Sequence, residues 1–145
     1  MPRYFTLKEL CSSETATKKN IDNYPTFVIV EHLKELSEKI LDPLRKAWGG
    51  AIIVTSGYRS TELNKEVGGV ISSVHRLGWA ADLQPANGKI EDFIKFAKTW
   101  SLINRVKFDQ FIRETTADKK TVWLHIGLYS PKGEQRNQYL DIVKK

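Results

Sequence analysis

His75 and Asp82 stand seven residues apart in Ser73-Val74-His75-Arg76-Leu77-Gly78-Trp79-Ala80-Ala81-Asp82, and a further imidazole follows in Trp123-Leu124-His125-Ile126-Gly127. Two imidazoles and one carboxylate are a three-ligand set that catalytic zinc uses, leaving one coordination position open. Water on such an ion becomes a usable nucleophile near neutral pH. These residues predict a zinc hydrolase.

Each residue also has a plainer explanation. Asp82 sits among Ala80, Ala81 and Leu83, where a carboxylate costs desolvation unless donors or a cation satisfy it; it would otherwise cap a turn at Gln84-Pro85. His125, in an apolar β-type run, would otherwise be a core imidazole bonded to backbone. A single metal explains all three polar intrusions. His32, on a long helical pattern, reads as an ordinary core or surface histidine.

The elements that must carry these groups follow from periodicity. Thr6 with Glu9 three residues on suits a capped short helix. From Pro25, apolar residues Phe27, Val30, Leu33, Leu36, Ile40, Leu41 and Leu44 recur at helical spacing. This predicts a long amphipathic helix, bent or ended near Asp42-Pro43 and closed by Gly49-Gly50. The β-branched run 51–56 predicts a buried strand ending at Gly57, Thr61 to Val67 a short helix, and Ala80 to Leu83 a strand stopped by Pro85. Ile90, Phe93, Ile94, Ala97 and Trp100 trace a second helix. Segments 106–114 and 121–129 predict a hairpin around a polar loop, 115–120. Helices on one side of a small antiparallel sheet make an α+β fold.

At 145 residues the chain fits one domain, 1–145, with a polar, weakly patterned tail from about residue 130. Cys11 is the single cysteine, so neither an intrachain disulfide nor a cysteine metal site is available. The formal charge of +6, from 23 Lys and Arg against 17 Asp and Glu, favours anionic partners or simply solubility. The lysines are scattered and no basic stripe carries stacking aromatics, which argues against nucleic acid. No stretch has the length of a signal sequence core or a membrane span. A monomer made in the cytoplasm without a signal peptide is expected.

The run Ser73 to Asp82 resembles the S-x-H-x-x-G-x-A-x-D signature of the zinc D-alanyl-D-alanine carboxypeptidases. Their wider group includes D-Ala-D-Ala dipeptidases, phage endolysins and the hedgehog signalling domain. Ser56-Gly57-Tyr58-Arg59-Ser60, Leu63-Asn64 and Gly68-Gly69 resemble the approach to the same metal loop, and Trp123-Leu124-His125 the second metal motif. The resemblance spans roughly residues 4 to 129 and is greatest to small phage and prophage members. It implies a hedgehog/DD-peptidase-like fold, with zinc held by His75, Asp82 and His125. It also implies that Arg59 grips the scissile carbonyl oxygen or a substrate carboxylate, a task suited to a planar fork of donors. Ser73 is then either a substrate hydrogen-bond donor or a loop-fixing hydroxyl, and Tyr58 a packing residue.

One part of the pattern departs. Hydrolysis needs a group that takes a proton from water and returns it to the leaving amine. The family places that group two or three residues before the last metal histidine, where this chain has Trp123 and Val122. Strand parity offers a substitute. If the hairpin strands pair with Glu114 opposite Thr121, alternation puts Gln110, Ile112 and Glu114 on the face of Trp123 and His125, while a one-residue slip would favour Asp109. Small phage-type relatives carry a similar D-Q-x-I-x-E run, matching residues 109–114. This makes Glu114 the candidate base and Gln110 a substrate or supporting contact; the alternative is a solvated charge at the hairpin end.

The expected activity is a zinc peptidase cutting bonds next to D-amino acids in peptidoglycan stem peptides, of carboxypeptidase or endolysin type. It would act on the cell wall after release or within a virion. A non-catalytic, metal-stabilised wall-binding or virion-associated module is the competing expectation. A purely structural zinc ranks below both, because structural sites use four protein ligands and no fourth is evident.

Overall fold

A computed structural model describes residues 4–144. Its helices and strands run in chain order as α1 (Leu7–Cys11), α2 (Glu14–Lys18), α3 (Phe27–Leu36), α4 (Asp42–Trp48), β1 (Ile52–Ser56), α5 (Thr61–Glu66), β2 (Ala80–Pro85), α6 (Ile90–Ile103), β3 (Gln110–Thr115), β4 (Val122–Gly127) and β5 (Gln138–Val143). The five strands form one sheet in the order β1-β2-β4-β3-β5. Every pairing is antiparallel except β3 with β5, which is parallel. The architecture is α+β. No helix of the described residues is long and apolar enough to cross a membrane.

Local chemistry sets the helix ends. Thr6 and Glu9 form the reciprocal capping box on α1. Thr26, rather than Pro25, caps α3, its hydroxyl accepting the Ile29 N–H. The expected interruption at Asp42-Pro43 takes a definite form: the helix continues through a wide π-type turn, Ser37–Leu41, in which the Asp42 N–H reaches the Ser37 carbonyl. That turn lies directly ahead of Pro43, whose missing N–H and ring would break a regular α-ladder. Gly49, at φ 78°, then ends α4 in the left-handed conformation.

Two expectations for the C-terminal third are corrected. The hairpin strands are shorter, 110–115 and 122–127, and Glu114 faces Trp123 instead of Thr121. The ladder continues to Thr116, whose N–H reaches the Thr121 carbonyl, so the loop proper is 117–120. Lys119 turns it at φ 63°, and Asp118 accepts the Lys120 N–H. A two-residue change leaves every side chain on its expected face, because the period of a strand is two. The polar tail, in turn, supplies β5, an edge strand, so the sheet is not purely antiparallel as expected.

Alternation splits the sheet into an apolar and a polar face. Ala81, Leu83, Phe111, Leu124 and Ile126 join Leu33, Leu36, Leu44, Phe93 and Ala97 in the buried core beneath the helices. Asp82, Ile112, Glu114, Trp123 and His125 occupy the other face. Leu124, beside His125 and 1% exposed, couples the two: Leu124→Ala should cost about 2–5 kcal/mol, read as a lower denaturation midpoint at unchanged slope.

Candidate metal centre

The register Asp82↔His125 places these two residues side by side on adjacent central strands. His75 arrives from a single 3₁₀ turn, Val74–Leu77, capped by the Ser73 hydroxyl and closed by Gly78 at φ 74°. Ligand atoms of His75, Asp82 and His125 all lie within 4.8 Å of one another, and the three residues are buried. Asp82 Oδ1 is 3.3 Å from His75 Nε2 and 3.0 Å from His125 Nδ1. Donors each about 2.0 Å from a tetrahedral ion would sit about 3.3 Å apart.

The hydrogen bonds test whether a metal fits. His75 Nδ1 lies 2.7 Å from the Gly57 carbonyl, which can only accept, so Nδ1 carries the proton. In the neutral ring Nε2 is then a bare lone pair aimed at a carboxylate oxygen. That contact is repulsive unless a cation or a second proton lies between them. Burial opposes the second proton, holding His75 below its ordinary imidazole value against the pull of Asp82. Burial alone would raise Asp82, but the His75 and His125 imidazoles outweigh it and hold that carboxyl well below the usual range. A neutral His75 and an ionised Asp82 are the state in which these two residues can ligate a metal. The residues fit zinc.

The segment after β1 orients this set. The Gly57 carbonyl holds the His75 ring, while the Arg59 N–H returns a bond to the His75 carbonyl at 3.0 Å. Asn23 ties the same segment down, donating to the Tyr58 carbonyl and accepting from the Ser60 N–H. Tyr58 itself is buried in the core. A Cβ on Gly57 would sit 2.1 Å from the Leu10 carbonyl oxygen, so no other residue fits there without moving backbone.

Around the ligands lies a cleft of about 620 Å³ that Arg59, Ser73, Gln110, Glu114, Trp123 and Lys144 help to line. Arg59 is half-buried. Burial lowers its pKa, opposed by the charges of Asp82 and Glu114. Its Nη2 donates to Ser73 Oγ at 3.1 Å, and its Nε has no partner among the described residues. Ser73 Oγ also accepts the His75 N–H, so this hydroxyl fixes the loop and the guanidinium together. Gln110 donates to Gln138 Oε1 on β5 at 2.9 Å, and among the described residues it makes no hydrogen bond to the three ligands.

Glu114 is brought to the centre, with Oε1 3.5 Å from His125 Nδ1 and 3.3 Å from the Trp123 indole nitrogen, which donates to it. Asp109 is spoken for: Arg136 grips its two oxygens from Nε at 2.7 Å and Nη2 at 2.8 Å. His32 serves the scaffold, stacking on Trp79 at 3.8 Å and bonding to the Leu77 carbonyl. Two neighbours of Glu114 went unassigned in the sequence reading. Trp123 was legible, being two residues before His125 on the same face. Lys144, 3.0 Å from Glu114 Oε2, had no local signal because a parallel strand pairing brings it there.

A family model for peptidase M15 matches residues 3–118. No curated protein matches the chain. The matched region holds His75 and Asp82 but stops before His125, which the fold alone brings to the other two.

Two outcomes follow. Gly57→Ala should weaken zinc binding about 10- to 100-fold, measured by competition with a chromophoric chelator; unchanged affinity would mean that the Gly57 carbonyl does not orient His75. In the metal-free protein, the fold resists the proton that unfolded His75 accepts below its ordinary 6.5. Asp82 adds the same sign below 3.8. Stability should therefore fall on acidification from about pH 7 to 5; a denaturation midpoint that stays flat over this interval contradicts the shift on His75.

Proposed function

Because this chain belongs to the peptidase M15 family, we propose that it is a zinc peptidase hydrolysing bonds next to D-amino acids in peptidoglycan stem peptides. Carrying this reading is one observation: a buried carboxylate, Glu114, stands 3.5 Å from a ligand atom of a three-residue metal set that opens into a cleft. His75, Asp82 and His125 would hold zinc, which when bound supplies Lewis acidity to the scissile carbonyl and to water.

The protein's own residues do the rest. Glu114 takes the proton of the attacking water and returns it to the nitrogen of the leaving amine as the C–N bond breaks. Burial keeps that carboxylate away from competing bulk water. Arg59 is already oriented by Ser73, so its fork is preorganised for the oxyanion or a substrate carboxylate. Stem peptides are rich in free carboxylates, which suits this arginine and the net charge of +6. Gln110, on the cleft wall, would contact the substrate chain. The same substrate implies action on the cell wall, after release from the cell or as part of a virion, by a monomer.

Purified protein should release D-alanine or a short peptide from muropeptides, with activity abolished by a strong chelator and restored by zinc. Glu114→Gln should lower kcat by about 10²–10⁴-fold while zinc content stays the same. Full activity in chelator would overturn the metal mechanism, and full activity of the Glu114 variant would overturn its role. A parent protein that binds muropeptides without cleaving any would favour a metal-stabilised wall-binding module.

A further inference from the structure

Glu114 is a buried side chain, only 9% exposed, yet its carboxylate meets donors on both oxygens. Trp123 serves Oε1 from the neighbouring strand. Lys144 serves Oε2 with its ammonium at 3.0 Å. Lys144 follows directly after β5, whose parallel ladder with β3 ends on Thr115↔Val143. One more main-chain bond, from the Lys144 N–H to the Thr115 carbonyl at 2.8 Å, fixes where its side chain starts. Register thus delivers this lysine to the strand end that carries Glu114. The residue lies beyond 3–118, the part of the chain that the family model matches.

We propose that Lys144 is a positioning residue, holding the Glu114 carboxylate so that Oε1 stays directed at the metal ligands. The inference rests on the reading of Glu114 as the proton-transfer group. A carboxylate with a free χ2 and χ3 has several rotamers, and the two donors together select one. The lysine side chain is itself 55% exposed, and an ion pair so placed adds little to fold stability. Its effect falls on geometry, where a small displacement of a catalytic group costs rate.

The test compares Lys144→Met, Lys144→Arg and Glu114→Gln in the zinc-loaded protein, by muropeptide hydrolysis and by the Trp123 indole N–H signal in NMR. Lys144→Met should lower kcat by about 10- to 100-fold with KM held within about twofold, the pattern of an interaction made in the transition state. It should also shift the Trp123 indole signal, because Oε1 moves. Lys144→Arg, which keeps a cationic donor, should recover much of the rate. Parent-like kcat in Lys144→Met alongside an inactive Glu114→Gln overturns the inference and leaves the base assignment standing. So does a rate loss that Lys144→Arg fails to recover, or one explained by lost zinc or a lower Tm. If Glu114→Gln is fully active the base assignment falls instead, and an unmoved indole signal in Lys144→Met would then overturn the positioning as well.

Discussion

A single carboxylate oxygen, Asp82 Oδ1, lies between two buried imidazole nitrogens, one of them necessarily unprotonated. The bare His75 nitrogen and the Asp82 oxygen, both electron-rich in a dry setting, repel unless a cation sits between them, and water cannot screen them there. The protein keeps them together nonetheless, using the hydrogen-bonded register of β2 with β4 for Asp82 and His125 and hydrogen bonds to the Gly57–Arg59 backbone for His75. Such preorganisation costs folding energy without the ion and returns it as metal affinity when the ion binds.

Holding His75 in place explains features far from the chemistry. The chain must pass the Leu10 carbonyl closely enough that only glycine fits at position 57. The carbonyl of that glycine fixes the His75 tautomer, the usual means by which a supporting acceptor sets which ring nitrogen faces a metal. Asn23, Tyr58 and the capped helix α1 act on this same point. Helix α1, through the Leu10 carbonyl, and the Asn23 side chain thus support the metal loop, although neither contributes a ligand.

The opposite wall is built by the sheet edge. Because β5 runs parallel to β3, the end of the chain arrives beside Glu114 instead of at the far end of the strand. An acid that lies at a hairpin terminus by sequence is thereby buried, bonded to Trp123 and paired with Lys144. Two residues before His125 stands Trp123, whose indole N–H donates to the Glu114 carboxylate on the next strand.

Residue types and spacing were enough to name His75, Asp82 and His125, and strand parity was enough to give Glu114 its face. Parity survives a two-residue error in hairpin register, since side chains repeat every second residue; the face was legible even though the exact cross-strand pairing, Glu114 with Trp123, was not. The helix pattern through Pro43 marked an irregularity but not its form, because a π-type turn depends on how the neighbouring core packs. Only the tertiary structure decided that the polar tail becomes a strand. Tyr139, Leu140, Ile142 and Val143 make a β-prone run, but they do not alternate strictly with polar residues, and the strand's place and direction come from backbone bonds to a strand some thirty residues earlier. That pairing also brought Lys144 to Glu114, and long-range main-chain pairing of this kind leaves no trace in the spacing of side chains.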